Sequence, residues 1–390
     1  MRSRARSSCL AVRGSSIATT TSALTRTLTV PLTMAIAAAG GCLRPAGSGP
    51  AVAAGGKRMA DADVRPLREA AAPARRRVGF ALMTHHLREP TFAKLAATHF
   101  DSLTPENEMK WYAVEPERGR FAFEKGDELV AFAASNNMRV RGHTLVWHSQ
   151  LAPWVKGLSG DALRAAMLAH VERVVGHWKG KVAQWDVVNE ALADGPGGGL
   201  RSDSPFTFLG PAFIDDAFRA AHAADPAAQL FYNDYEIEWA GTPKAEAAFK
   251  LVKRLKESGV PIHGIGLQMH VDPRHWPPAD KIRDNLARLA ALGLLVEITE
   301  MDVPVGEIRG SIDDKLERQR AITRGIVAAC VAVEGCSGVT FWGMTDRHSW
   351  LNLPEWGPLR GRMPHHPLPF DADYRPKPML AGILDALAKK

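Results

Sequence analysis

Between residues 78 and 342 the chain alternates short β-type runs with longer segments whose apolar residues recur at helical spacing, eight times over. The β-type runs fall at 78–82, 100–103, 139–147, 184–188, 229–232, 264–269, 294–299 and 338–342. Helical patterns fill the gaps, among them 162–178, 211–224, 243–258, 279–292 and 312–333. Ser159 and Asp161 mark the start of one helix, and Gly259 and Gly293 mark the ends of two others. Several runs are apolar on both faces, as buried parallel strands are. Eight such alternations predict an α/β fold, a closed (β/α)8 TIM barrel, in preference to a doubly wound sheet. No Gly-x-Gly-x-x-Gly follows the first run, so a dinucleotide fold has no support. The glycine-rich stretch 195–199 lacks the Lys-Ser/Thr of a phosphate loop and reads as a plain loop after the fourth strand.

The chain has 390 residues, long for one ordinary domain, although a barrel of this kind commonly takes about 250 or more as a single unit. Residues 1–58 hold eight Lys or Arg and no acid; taking that +8 from the net +7 leaves about −1 for the rest. The basic balance therefore belongs to the leader and gives no argument for a nucleic-acid partner. Residues 1–26 are rich in Arg, Ser and Thr, 27–41 form a short apolar run, and small residues follow. That order is the signature of a secretory signal, while no run approaches the roughly 18 apolar residues of a membrane span. The expected organisation is a leader at 1–42, a flexible Ala/Gly/Pro-rich linker at 43–75 and a barrel domain at 76–390. The expected location is outside the cytoplasm, secreted or periplasmic. Cys42 follows Ala39-Gly40-Gly41 and resembles a lipoprotein processing site, which would make it the one membrane anchor; ordinary cleavage near 37–39 or 51–53 is the alternative. Cys330 and Cys336, six apart across a helix end and a strand start, read either as a local disulfide or as two buried thiols.

The polar residues collect at the C-terminal ends of the predicted strands, which in a barrel meet on one rim. Strand two leads into Glu106-Asn107 and Lys110; strand three carries His143 and Trp147; strand four ends in Asn189-Glu190. Strand five ends in Asn233-Asp234-Tyr235, strand six in Gln268 and His270, strand seven in Glu300 and Asp302, and strand eight in Trp342 with Trp350 beyond. Strand alternation puts His143 with Trp147 and sends His148 to the opposite face. No His-Glu-x-x-His and no Cys/His cluster occurs, so no metal or other cofactor is expected. Carboxylates, amides and indole rings suit a sugar, whose hydroxyls need planar polar partners and whose apolar faces stack on aromatics. Breaking a glycosidic bond requires two carboxyl groups, one to protonate the leaving oxygen and one to attack the sugar or activate water.

Seven strings, in order along the chain, sharpen this: Pro105 to Trp111, His143 to Gln150, Trp185 to Glu190, Tyr232 to Tyr235, Gly266 to His270, Ile298 to Asp302 and Phe341 to Trp350. Together with the tail Leu368-Pro-Phe-Asp371 and Tyr374-Arg-Pro-Lys377, they resemble glycoside hydrolase family 10, mainly retaining endo-β-1,4-xylanases, over about residues 75–388. The resemblance implies Glu190 as general acid/base and Glu300 as nucleophile. It implies Asn189 as the amide beside the sugar 2-hydroxyl, and His270 with Asp302 as the pair that hydrogen-bonds around Glu300. Glu106, Asn107, Lys110, His143, Trp147, Gln150 and Gln268 resemble glycone-side binding residues, Trp342 and Trp350 the rings over the reacting sugar, and Tyr235 an aglycone-side aromatic. The family also carries a disulfide matching Cys330 and Cys336. The expected partner is xylan or a xylo-oligosaccharide, bound by a monomer; a β-glucan or aryl-cellobioside hydrolase, or a non-catalytic sugar-binding lipoprotein, is the alternative. The insertion 352–367 departs from the family pattern beside the cleft.

Overall fold

The computed structural model describes residues 64–355, 357 and 363–388. The expected leader, Cys42 and most of the expected linker lie outside the described residues, as does part of the insertion at 352–367.

Among the described residues nine strand segments occur: β1 Arg77–Leu82, β2 Ser102–Pro105, β3 Arg139–Gly142, β4 Val146–Trp147, β5 Gln184–Asn189, β6 Gln229–Asp234, β7 Gly264–Leu267, β8 Leu295–Met301 and β9 Cys336–Phe341. The predicted third strand is two pieces, β3 and β4, both paired to β5. Every pairing between neighbouring strands is parallel, and β1 joins both β2 and β9, so the sheet closes into an eight-position barrel. The helices are α1 Leu67–Ala71, α2 Pro90–His99, α3 Trp111–Val114, α4 Glu124–Ser135, α5 Gly160–His177, α6 Ala212–Ala224, α7 Pro243–Glu257, α8 Ala279–Ala290, α9 Ile312–Ala332 and α10 Pro378–Leu387. Five of these match the predicted helical spans to within two residues. Gly259 and Gly293 take φ of +64° and +75° just past α7 and α8, the left-handed turn glycine permits at no steric cost.

One boundary differs from expectation. Residues 67–74 are helical, and Leu67, Ala70 and Ala71 are buried in the core, with α1 packed on β1 and α10. Residues 67–71, expected in the linker, are therefore part of the packed core. The Ala-rich composition that reads as a linker is also good helix composition. Once Leu67 has a surface to cover, tertiary packing decides.

The barrel interior is not purely apolar. Arg141 on β3 is 1% exposed and pairs with Asp186 on β5 and Glu297 on β8, the latter at 3.3 Å. Gln184 donates to Glu297 at 2.9 Å, and the Arg141 guanidinium lies 4.5 Å from the centre of the Phe231 ring. Cys330 and Cys336 form a disulfide joining the end of α9 to the start of β9.

Candidate active site

Two irregularities aim the rim. On β5 the register against β6 shifts between Asp186 and Val188, and on β8 the register against β9 shifts between Ile298 and Met301. An extra residue in a strand breaks strict alternation and re-aims the side chains beyond it. On β8 the result is that consecutive residues reach one partner: Thr299 donates to Asn233 Oδ1 at 2.7 Å, and Asn233 Nδ2 donates to Glu300 Oε1 at 2.7 Å. At the end of β5, Glu190 takes φ +54°, a left-handed conformation uncommon for a residue with a Cβ. Gln268 Nε2 consequently meets both Asn189 Oδ1, at 3.4 Å, and Glu190 Oε1, at 2.8 Å. Residues held in such backbone conformations concentrate at functional sites.

The two glutamates sit in different surroundings. Glu300 is 4% exposed and is gripped from two sides, by Asn233 and by His270 Nε2 at 3.2 Å. His270 Nδ1 lies 2.9 Å from Asp302 Oδ2, which also accepts from the Trp350 indole at 2.9 Å. Burial pushes the His270 imidazole down, but the carboxylates of Asp302 and Glu300 outweigh it and hold it at about 10. Glu300 therefore faces an imidazolium at neutral pH. Glu190 is more open and faces neutral donors: Trp147 Nε1 at 2.7 Å, Gln268 at 2.8 Å and Asn189 Nδ2 at 3.2 Å. Asn189 Oδ1 accepts from Asn233 at 2.9 Å, so one amide chain links the surroundings of both carboxylates.

On one side of the pair lies a polar wall. Lys110 Nζ donates to Asn107 Oδ1 at 3.0 Å and to Gln150 Oε1 at 2.8 Å, and stands 4.9 Å from the centre of the Trp147 ring. Glu106 and Lys110 are both buried and precede α3, so they are not a solvated helix pair. Burial raises Glu106 to about 7, with Lys110 opposing and Glu108 and Glu300 adding to the rise. Trp342 closes the floor edge-on to His143, ring centres 5.1 Å apart, and His143 Nδ1 is 3.0 Å from Asp186. On the other side, Tyr235 bonds Asp194 through its hydroxyl at 2.7 Å.

Of the residues expected from the sequence, Trp147, Asn189 and Gln268 contact Glu190, His270 contacts Glu300 and Asp302, Trp350 contacts Asp302, and Asn107, Lys110 and Gln150 contact one another. Sequence reasoning gave no role to Asn233, although the Asn-Asp-Tyr string at the strand end was a visible signal. It sent His148 away from the cleft, yet His148 Nδ1 is 3.9 Å from Glu190 Oε2, because β4 ends at Trp147 and alternation no longer applies. It gave no role to Arg201, or to Arg141, Asp186, Thr299, Asp194 and Lys244, whose importance rests on long-range partners.

A closed parallel barrel with two unlike carboxylates at the strand ends, flanked by amides and indoles, defines the class of glycoside hydrolases. The particular family follows from likeness: residues 66–386 match the family model of glycosyl hydrolase family 10, and the chain belongs to that family. It is 43% identical over 300 residues to a β-1,4-xylanase of Dictyoglomus thermophilum, covering 75% of this chain and 83% of that protein. It is 39% identical over 332 residues to endo-1,4-β-xylanase B of Thermotoga neapolitana, covering 83% of this chain and 92% of that one. Among solved structures, xylanase 10B from Thermotoga petrophila in complex with xylobiose superposes with a TM-score of 0.77 at 41% identity, over 83% of this chain and 97% of that chain.

Proposed function

We propose that the chain is an endo-β-1,4-xylanase that cleaves internal bonds of xylan with retention of configuration. The observation that carries this is the unlike bonding of the two glutamates: Glu300 is held by Asn233 and His270, Glu190 by an indole and two amides. A carboxylate whose two oxygens are held by Asn233 and His270 is fixed in place for attack on the anomeric carbon. The more open one suits proton delivery to the leaving oxygen and, after the leaving sugar departs, proton removal from water. Attack by Glu300 forms a glycosyl-enzyme bond as the glycosidic C–O bond breaks with protonation by Glu190. Water, deprotonated by Glu190, then displaces Glu300. Asn233 and His270 hold Glu300 at its two oxygens, Asn189 reaches the sugar 2-hydroxyl, and the wall of Glu106, Asn107, Lys110 and Gln150 takes the hydroxyls on the glycone side. Relatives named as β-1,4-xylanases support xylose as the sugar.

Reducing-sugar release from xylan, with little from carboxymethylcellulose, is the expected result; the reverse order of activity points to a β-glucan hydrolase, and release from neither points to a binding protein. NMR of the first products shows the β-anomer if two displacements occur; an α-anomer refutes the role of Glu300. We further propose that the protein acts as a monomer and is exported, either released by signal cleavage or held by a lipid at Cys42. Light scattering tests the first proposal and mass spectrometry of the mature N-terminus the second.

A further inference from the structure

We propose that Asp194 and Lys244 are positioning residues that fix the Tyr235 ring as the platform for the first sugar on the leaving-group side. This rests on the reading of Tyr235 as an aglycone-side aromatic. Tyr235 directly follows β6 and is only partly buried. Two side chains from other elements hold its ring. Its hydroxyl donates to the Asp194 carboxylate, with oxygens at 2.7 and 2.8 Å. Lys244 Nζ lies 3.3 Å from the ring centre, within cation–π range, and covers one face of the ring.

The position of Lys244 is costly on its own account. It is 3% exposed and sits in the first turn of α7, where the helix dipole disfavours a cation. A buried ammonium is tolerated only when paired. Asp194 at 2.8 Å and Asp234 at 3.0 Å supply the pairing, and Asp234 is itself wholly buried. Asp194 also meets Arg201 Nη2 at 3.4 Å, and Arg201 Nη1 donates to the Glu190 carbonyl at 3.3 Å. One half-exposed carboxylate thus ties the aromatic ring, the buried lysine and the backbone of Glu190 together. Those three come from the ends of β5 and β6 and the start of α7, so Asp194 sets where the ring stands relative to Glu190.

The test compares xylopentaose, which fills the leaving-group side, with β-xylobiosyl fluoride, whose leaving group is a single atom. For Asp194→Ala and for Tyr235→Phe, the ratio of kcat/KM on xylopentaose to that on the fluoride should fall about tenfold, the worth of one well-placed aromatic contact. The double variant should fall no further than Asp194→Ala alone, because that change already removes the hydrogen bond that Tyr235→Phe removes. Additive losses, or an Asp194→Ala variant that lowers both substrates equally, overturn the proposal and leave Asp194 as a loop brace. Tyr235→Phe, which keeps the ring, carries the test if Asp194→Ala does not fold. Tyr235→Ala separates the two levels. If it leaves the ratio unchanged, the aglycone reading itself fails. If it lowers the ratio while Asp194→Ala and Tyr235→Phe do not, that reading stands and the positioning role fails.

Discussion

At the scale of residues, the site is an exercise in giving two glutamates different neighbours. Glu300 lies between Asn233 and the His270 imidazolium, whereas Glu190 accepts from an indole and two amides. The proposed roles predict opposite mutant phenotypes. Glu190→Ala should cut kcat on xylan by about 10²–10⁴-fold, the usual worth of acid–base assistance, while bond breaking on 2,4-dinitrophenyl xylobioside is largely spared. Glu300→Ala should abolish both, with azide giving an α-xylobiosyl azide. Equal losses on both substrates for both variants would contradict the assignment. His270→Asn removes the cation facing Glu300; its loss should lower kcat/KM by about 10–100-fold at pH 6, as for one or two charge-assisted hydrogen bonds. The stability that His270 contributes has a definite sign. Its folded pKa, about 10, lies above the unfolded value, so the contribution is whole below about pH 6.5 and vanishes as pH rises through about 10.

At the scale of elements, the loops after β1 and β9 meet through imidazoles. His86, in the 3-10 turn Thr84–Arg88, stacks on His348 with ring centres 4.3 Å apart and touches His85 at 4.3 Å. Burial, with both neighbouring imidazoles adding, depresses His86 to about 3. A histidine kept neutral in the fold binds its proton more readily when unfolded. Its contribution is therefore present above about pH 6.5 and is lost as pH falls towards about 3. At pH 4 the penalty from His86 is about 3 kcal/mol. His86→Gln keeps an acceptor for the Met83 amide, which bonds His86 Nδ1 at 3.1 Å in the native chain. The variant should flatten the decline in unfolding midpoint between pH 7 and pH 4. An unchanged slope in thermal scans would place the acid sensitivity elsewhere.

At the scale of the whole molecule, closure of the barrel buries a cation among carboxylates from other strands. Arg141 on β3 faces Asp186 on β5 and Glu297 on β8, all at or below 3% exposure. Asp186 passes the connection up to His143 at 3.0 Å, beneath the cleft. Replacing such a pair wholly with apolar groups can be neutral, but removing one partner strands the others. Arg141→Met should therefore cost about 3–5 kcal/mol in urea unfolding. A loss below about 1 kcal/mol would mean that Asp186 and Glu297 find other partners without the guanidinium. Gly266 shows how tight the same layer is: a Cβ there would stand 2.2 Å from Asn233 Oδ1 and 3.1 Å from an Arg141 nitrogen. That strand position is left to the one residue without a side chain so that Asn233 can reach Glu300.

The sequence by itself determined the alternation of elements, the rim on which Glu106, Glu190, His270 and Glu300 gather, and the helix ends at Gly259 and Gly293. Those features rest on local periodicity, capping and strand-end position, all written in short windows of chain. It did not determine that 67–71 would be a core helix, that the third strand would break before Val146, or that His148 would turn to Glu190. Nor did it determine the register shifts in β5 and β8, which put neighbours such as Thr299 and Glu300 onto one amide. Those depend on partners far away in the chain, 67 residues for Asn233 with Glu300 and 113 for Gln184 with Glu297. A strand's polarity pattern says which face is buried, but only closure of the barrel brings donor and acceptor within hydrogen-bonding reach, and a buried polar group must then be satisfied by whatever closure places beside it.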